Sequence, residues 1–128
     1  MKITGIDHLV LTVADIGVTC DFYGRVLGMD VQTFTSGGIE RTALRFGEQK
    51  INLHKAGTEF EPKAETPLPG STDLCLIASD SIDAVRSHLK DLGVAIEEGP
   101  VPRTGAVGPI TLIYIRDPDG NLIEISNY

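Results

Sequence analysis

Along "HLVLTV" (8–13) apolar Leu9, Leu11 and Val13 alternate with His8, Val10 and Thr12, the period of a half-buried strand. The period then changes. Val18, Phe22 and Val26 recur every four residues, Asp15 stands at an N-cap position and Gly28 at a stop, which predicts a helix. "MDVQTF" (29–34), "RTALRF" (41–46) and "KINLHK" (50–55) return to strand patterning, with glycine turns at 37–38 and 47. Residues 57–72 hold three prolines and two glycines and read as a linker. "LCLIAS" (74–79) is the next strand. Asp80 then caps a second helix with Ile82, Val85, Leu89 and Leu92 on one face, and Gly93 ends it. "VAIEEG" (94–99) reads as a strand and "PVPRTGAVG" (100–108) as a loop. "ITLIYI" (110–115) and "NLIEIS" (121–126) complete the strands.

The two halves share one plan. The caps Asp15 and Asp80 lie 65 residues apart, as do the stops Gly28 and Gly93, and "LGMDV" (27–31) matches "LGVAI" (92–96) at that offset. "INLH" (51–54) aligns with "NLIE" (121–124) at 70. The chain therefore reads as α+β, two tandem βαβββ modules over about 3–56 and 73–128 within one domain of 128 residues. The offsets pair His8 with Asp73 and His54 with Glu124. All four are metal-competent, and in each strand they fall opposite the apolar, helix-packing face. Each has a bland reading. A histidine on a strand is ordinarily a hydrogen-bonded polar residue, Glu124 has Arg116 within reach of a pair, and Asp73 follows a loop. His88 lies off the second helix's apolar stripe and is expected at the surface.

Composition narrows the classes. With 41% hydrophobic and 23% charged residues the chain is an ordinary globular one. A formal charge of −7, with arginines scattered along the sequence, speaks against a nucleic-acid or anionic-membrane partner. No apolar run approaches the roughly 18 residues of a membrane span. The start "MKITGIDHLV" lacks a signal-peptide pattern, and Cys20 and Cys75 suggest packed side chains, not a disulfide framework, so a cytoplasmic location is expected. "DPDG" (117–120) is most simply a hairpin turn with Pro118 presetting φ.

"IDHLVLTVAD" at the start, "NLH" in the fourth strand and "DPDGNLIEI" at the end, set in paired βαβββ modules, resemble the vicinal oxygen chelate superfamily of glyoxalases, bleomycin-resistance proteins and extradiol dioxygenases. "FGEQKINLH", "EFEPKA" and "EEGPVPRTGAVGPI" resemble the glyoxalase-domain-containing-5 subgroup and its bacterial virulence-protein relatives. The resemblance implies a cupped sheet around one divalent metal ion (Zn, Ni, Mn or Fe), with His8, His54 and Glu124 as ligands and Asp73 as a candidate fourth. It implies a lyase or isomerase acting on a small substrate chelated through neighbouring oxygens, with Glu124 as the base. Arg103 is the candidate for a substrate's anionic group, or is merely a surface charge. An extradiol iron(II) dioxygenase and a metal-free binding protein for a drug or metabolite are the alternatives. A homodimer is expected, since cupped sheets leave edges to cover.

Overall fold

The computed structural model describes residues 1–128, which divide into two compact units, Met1–Pro69 and Gly70–Tyr128. Unit one runs β1 (His8–Val13), α1 (Ile16–Arg25), β2 (Asp30–Ser36), β3 (Ile39–Phe46) and β4 (Gln49–Lys55). Unit two runs β5 (Asp73–Ile77), α2 (Ile82–Asp91), β6 (Glu98–Gly105), β7 (Gly108–Arg116) and β8 (Leu122–Asn127). Each forms a four-stranded sheet with one helix, in the orders β1-β4-β3-β2 and β5-β8-β7-β6. Every pairing is antiparallel except β1 with β4 and β5 with β8. The α+β, βαβββ-repeat reading therefore holds.

Strand alternation sorts the faces as the sequence suggests. In unit one Leu11, Val13, Leu44, Ile51 and Leu53 are buried beside Tyr23 and Val26 from the α1 region. In unit two Ile113, Ile115, Ile123 and Ile125 are buried with Val85 and Leu89 of α2. The opposite faces carry the polar side chains. Asp15 caps α1, its Oδ1 accepting from Val18 N at 2.9 Å. The buried face of α1 keeps the expected Val26 but not Val18, which is 53% exposed, and Thr19 and Tyr23 are buried in its place. Ser81, not Asp80, caps α2, its Oγ accepting from Ala84 N at 3.2 Å.

The largest departure lies at 94–105. Val94–Glu97 are not in a strand, and the expected loop is the strand β6. Pro100 and Pro102 hid it. β6 pairs only with β7, where a missing N–H costs no ladder bond, and its register shifts between Glu98 and Val101. β2 likewise pairs only with β3. It is exposed along its length apart from half-buried Phe34.

The turn before β8 is built from side chains. Asp117 Oδ1 accepts from the N–H groups of Asp119 and Asn121, each at 2.9 Å, and Oδ2 from Asn121 Nδ2 at 2.8 Å. Asn121 Oδ1 in turn accepts from Thr72 N at 2.9 Å, fastening the segment that leads into β5. Gly70 lies close by with φ +80°.

Candidate functional site

Registers decide which of the sequence candidates meet within each unit. β1 and β4 run parallel with His8 opposite Lys50, Val10 opposite Asn52 and Thr12 opposite His54. His8 and His54 share a face but stand four positions apart, about 13 Å along the strands. The expected sharing of one ion by these two histidines is therefore corrected. His54 is also occupied. Its Nε2 accepts from Arg41 Nη2 at 2.8 Å, its ring meets Phe60 edge-on at 5.4 Å, and it is buried. Burial, then the Arg41 charge, lowers its pKa and keeps the imidazole neutral.

β5 and β8 repeat the arrangement. Asp73 lies opposite Leu122, and Cys75 opposite Glu124. Since Val10 and Cys75 are equivalent at the offset of 65, Glu124 corresponds to Asn52, not His54. The last strands are offset by 72, because unit two carries two residues beyond the count that aligned "INLH" with "NLIE". His54 then corresponds to Ser126, another buried polar residue with a structural task, whose Oγ donates to Leu76 O at 2.9 Å.

Each unit thus presents a two-donor half-set, His8 with Asn52 and Asp73 with Glu124. His8 Nδ1 is 2.7 Å from Asp7 Oδ2. That contact favours the tautomer with the proton on Nδ1 and a lone pair on Nε2, the form a metal or a proton requires. Asn52 is 6% exposed, and its Oδ1 is buried without a hydrogen-bond partner. Such an orphaned hard oxygen is costly unless something binds it. Asn52 was missed in the sequence because an amide is not a typical ligand and the offset pointed to His54.

Glu124 is half-buried, and Asp73 shares its face on the neighbouring strand, one pair of residues away. Burial first, then the neighbouring Asp73 carboxyl, raise its pKa. Tyr114, opposite Glu124 on β7, and the Arg103 charge act against that rise. The Tyr114 hydroxyl also accepts from Arg103 Nε at 3.1 Å. Arg103 is further held by Pro102 O at 2.9 Å and Glu98 Oε1 at 3.2 Å. These three bonds leave about two of the five guanidinium donors for other partners. Arg116 pairs with Glu97 at 3.0 Å, so it does not neutralise Glu124. Tyr114 was not singled out from sequence, since within "ITLIYI" it reads only as a strand aromatic.

Glu124, Tyr114 and Arg103 open onto a cavity of about 440 Å³ in unit two, whose apolar walls include Ile77, Ile110, Leu112 and Tyr128. Cys75, expected to be packed, instead faces this cavity and is exposed, its Sγ 3.4 Å from Ser126 Oγ. His88 is exposed on α2, as expected.

No three His, Cys, Asp or Glu side chains come together as a metal cluster. The donors do fit a divalent ion in kind. In unit one the orphaned Asn52 oxygen is a hard ligand and His8 adds an oriented nitrogen, and in unit two the carboxyls of Asp73 and Glu124 are hard ligands on one face of the sheet. His54 does not fit, because Arg41 holds its Nε2.

The chain belongs to the glyoxalase/bleomycin resistance protein/dioxygenase superfamily, whose model matches residues 5–125. It is 56% identical over 128 residues to the glyoxalase domain-containing protein RDO1 of Mycosarcoma maydis, covering 100% of this chain and 70% of that one. It is 59% identical to the virulence protein STM3117 of Salmonella typhimurium, covering 100% of this chain and 87% of that one. The crystal structure of STM3117 matches with a TM-score of 0.95 over 100% of this chain and 99% of that one. TnmS3, an antibiotic binding protein from Streptomyces sp. CB03234, matches at 25% identity and TM-score 0.75 over 99% and 98% of the two chains. A lactoylglutathione lyase from Agrobacterium tumefaciens shares the fold, at 21% identity and TM-score 0.73 over 98% and 95%. No helix is long and apolar enough to cross a membrane.

Proposed function

We propose that this chain is a divalent-metal-dependent enzyme of the glyoxalase type, a lyase or isomerase that moves a proton beside a carbonyl in a small substrate bearing two neighbouring oxygens. The carrying observation is the Asp73–Glu124 pair, with Glu124 in the wall of an apolar cavity. Two carboxyls set side by side raise the Glu124 pKa, and a divalent cation is a chemical partner that such a pair suits. Asp73 and Glu124 would hold the ion in unit two, with His8 and Asn52 the corresponding donors of unit one. Bound there, the ion supplies Lewis-acid polarisation of the substrate's oxygens.

The chain's own residues account for the rest. The Glu124 carboxylate takes the proton from the carbon next to the carbonyl and returns it to the neighbouring carbon. Tyr114 orients that carboxylate, and Arg103 orients Tyr114 while offering its remaining donors to an anionic group of the substrate. Ile77, Ile110 and Leu112 give the cavity apolar walls against which the substrate's carbon skeleton would rest. A symmetric homodimer belongs to the same proposal, because β2 and β6 are edge strands that need cover. Light scattering that reports a monomer at micromolar concentration removes that part.

The test is metal analysis of protein purified without chelator, followed by assays with Zn, Ni, Mn or Fe restored. At saturating metal, Glu124→Gln is expected to lower kcat about 10²–10⁴-fold, the usual worth of a positioned base. Arg103→Ala is expected mainly to raise KM. An unchanged kcat in the Glu124 variant removes Glu124 as the base, and no turnover with any of the metals sinks the enzyme reading. Oxygen uptake by iron-loaded protein across a catechol panel would instead identify a dioxygenase. The apolar cavity walls favour one other reading, a sequestering module, which tight ligand binding without turnover under any metal would establish.

A further inference from the structure

The polar face of unit one carries a cluster that the proton-transfer reading leaves unused. Arg41 on β3 lies opposite Phe34 on β2, and its guanidinium carbon stands 4.5 Å from the Phe60 ring centroid and 5.6 Å from that of Phe34. Lys50 Nζ stands 4.0 Å from the same Phe34 ring. Two cations are thus held within 6 Å of one aromatic ring. Neither has a carboxylate within ion-pair distance, for the seven ion pairs of the chain all involve other residues.

The nearby acids are engaged elsewhere. Glu59 accepts from Gly57 N at 3.0 Å and pairs with Lys63 at 3.7 Å. Asp7, whose charge Lys50 feels, is bonded to His8 at 2.7 Å. Arg41 Nη2 donates to the imidazole of His54, which fixes the guanidinium without compensating its charge. Arg41 Nε is buried with no partner at all.

A half-buried guanidinium without an ion-pair partner bears a desolvation cost that the Phe34 and Phe60 ring faces offset only in part. The chain's formal charge is −7, so an excess of lysine and arginine does not account for the cluster. A bound anion does. Arg presents a planar fork suited to an oxyanion, Lys adds a point charge, and the Phe34 and Phe60 rings offer a flat apolar surface beside them.

We infer that Arg41 and Lys50, arranged around Phe34 and Phe60, form an oxyanion-binding site on unit one for a carboxylate or phosphate attached to a flat apolar body. The site does not depend on the metal or on Glu124, so it stands or falls separately from the proposed reaction.

The experiment is an NMR titration of the full, metal-free chain, following the aromatic resonances of Phe34 and Phe60. The probes are phenyl phosphate, benzoate and inorganic phosphate, with benzyl alcohol as the neutral control. Phenyl phosphate or benzoate is expected to give saturable shifts, inorganic phosphate weaker ones and benzyl alcohol none. Whichever of the first two binds tighter identifies phosphate or carboxylate as the native group. Lys50→Gln is expected to weaken binding about tenfold, and Arg41→Gln to abolish it. Circular dichroism checks that each variant is folded. If Arg41→Gln is not, Lys50→Gln decides, since it removes a charge that rests against a ring face. The absence of saturable shifts, equal binding by the Lys50 variant, or equal binding of benzyl alcohol overturns the inference.

Discussion

Replacing Asn121 with Ala tests how the turn before β8 supports the carboxylate-bearing strand. Asn121 is 0% exposed and makes two side-chain bonds, accepting from Thr72 N at 2.9 Å and donating to Asp117 Oδ2 at 2.8 Å. Alanine removes both partners while the groups they served stay within the fold. Each polar group so stripped costs about 1–3 kcal/mol. Two of them give about 2–6 kcal/mol, a large share of the stability of a domain this size. At about 3 °C per kcal/mol, the midpoint of thermal unfolding should fall by roughly 6–18 °C. Urea denaturation followed by circular dichroism measures the same quantity through the shift in midpoint at constant slope. Asn121→Asp provides a second reading. It keeps an acceptor for Thr72 but sets a carboxylate against Asp117, so its loss should be largest near neutral pH and shrink as acid protonates one of the two. A cost for Asn121→Ala below about 1 kcal/mol would refute the assignment of the turn's stability to these side-chain bonds.

Two further expectations concern other parts of the chain. A Cβ on Gly70 would lie 2.6 Å from the Asp119 carbonyl oxygen at φ +80°, so Gly70→Ala should destabilise by about 2–4 kcal/mol in the same urea assay. Cys75 is exposed, whereas Cys20 is half-buried and its thiol pKa is raised by burial, so mass spectrometry after brief iodoacetamide treatment should find Cys75 labelled first. Equal labelling would contradict that ranking.

The helices and most strands were legible because their periods are local. Asp15 announces α1, and the alternation of "HLVLTV" announces β1, from sequence alone. β6 was not legible, since its prolines carry a loop signature and only its edge position makes them tolerable. The repeat was visible, but its register was not. Loop lengths shift the offset between the halves, so counting along the chain led to His54, whereas pairing across the sheet leads to Asn52. Glu124 stood out in the sequence because a carboxylate interrupts an apolar run. The nearness of Asp73 to it depends on the β5–β8 pairing, which no local pattern discloses.

The exposure of β2 bears on motion. It rests on the sheet through one neighbour and has almost no buried side chain, so its release should need far less free energy than global unfolding. Its amides should exchange with deuterium well ahead of those of β4. Phe34, the ring shared by Arg41 and Lys50, rides on this loosely held strand. An anion seated at that ring would hold β2 down. It would register as slowed exchange along Asp30–Ser36 while the amides of β4 stay unchanged.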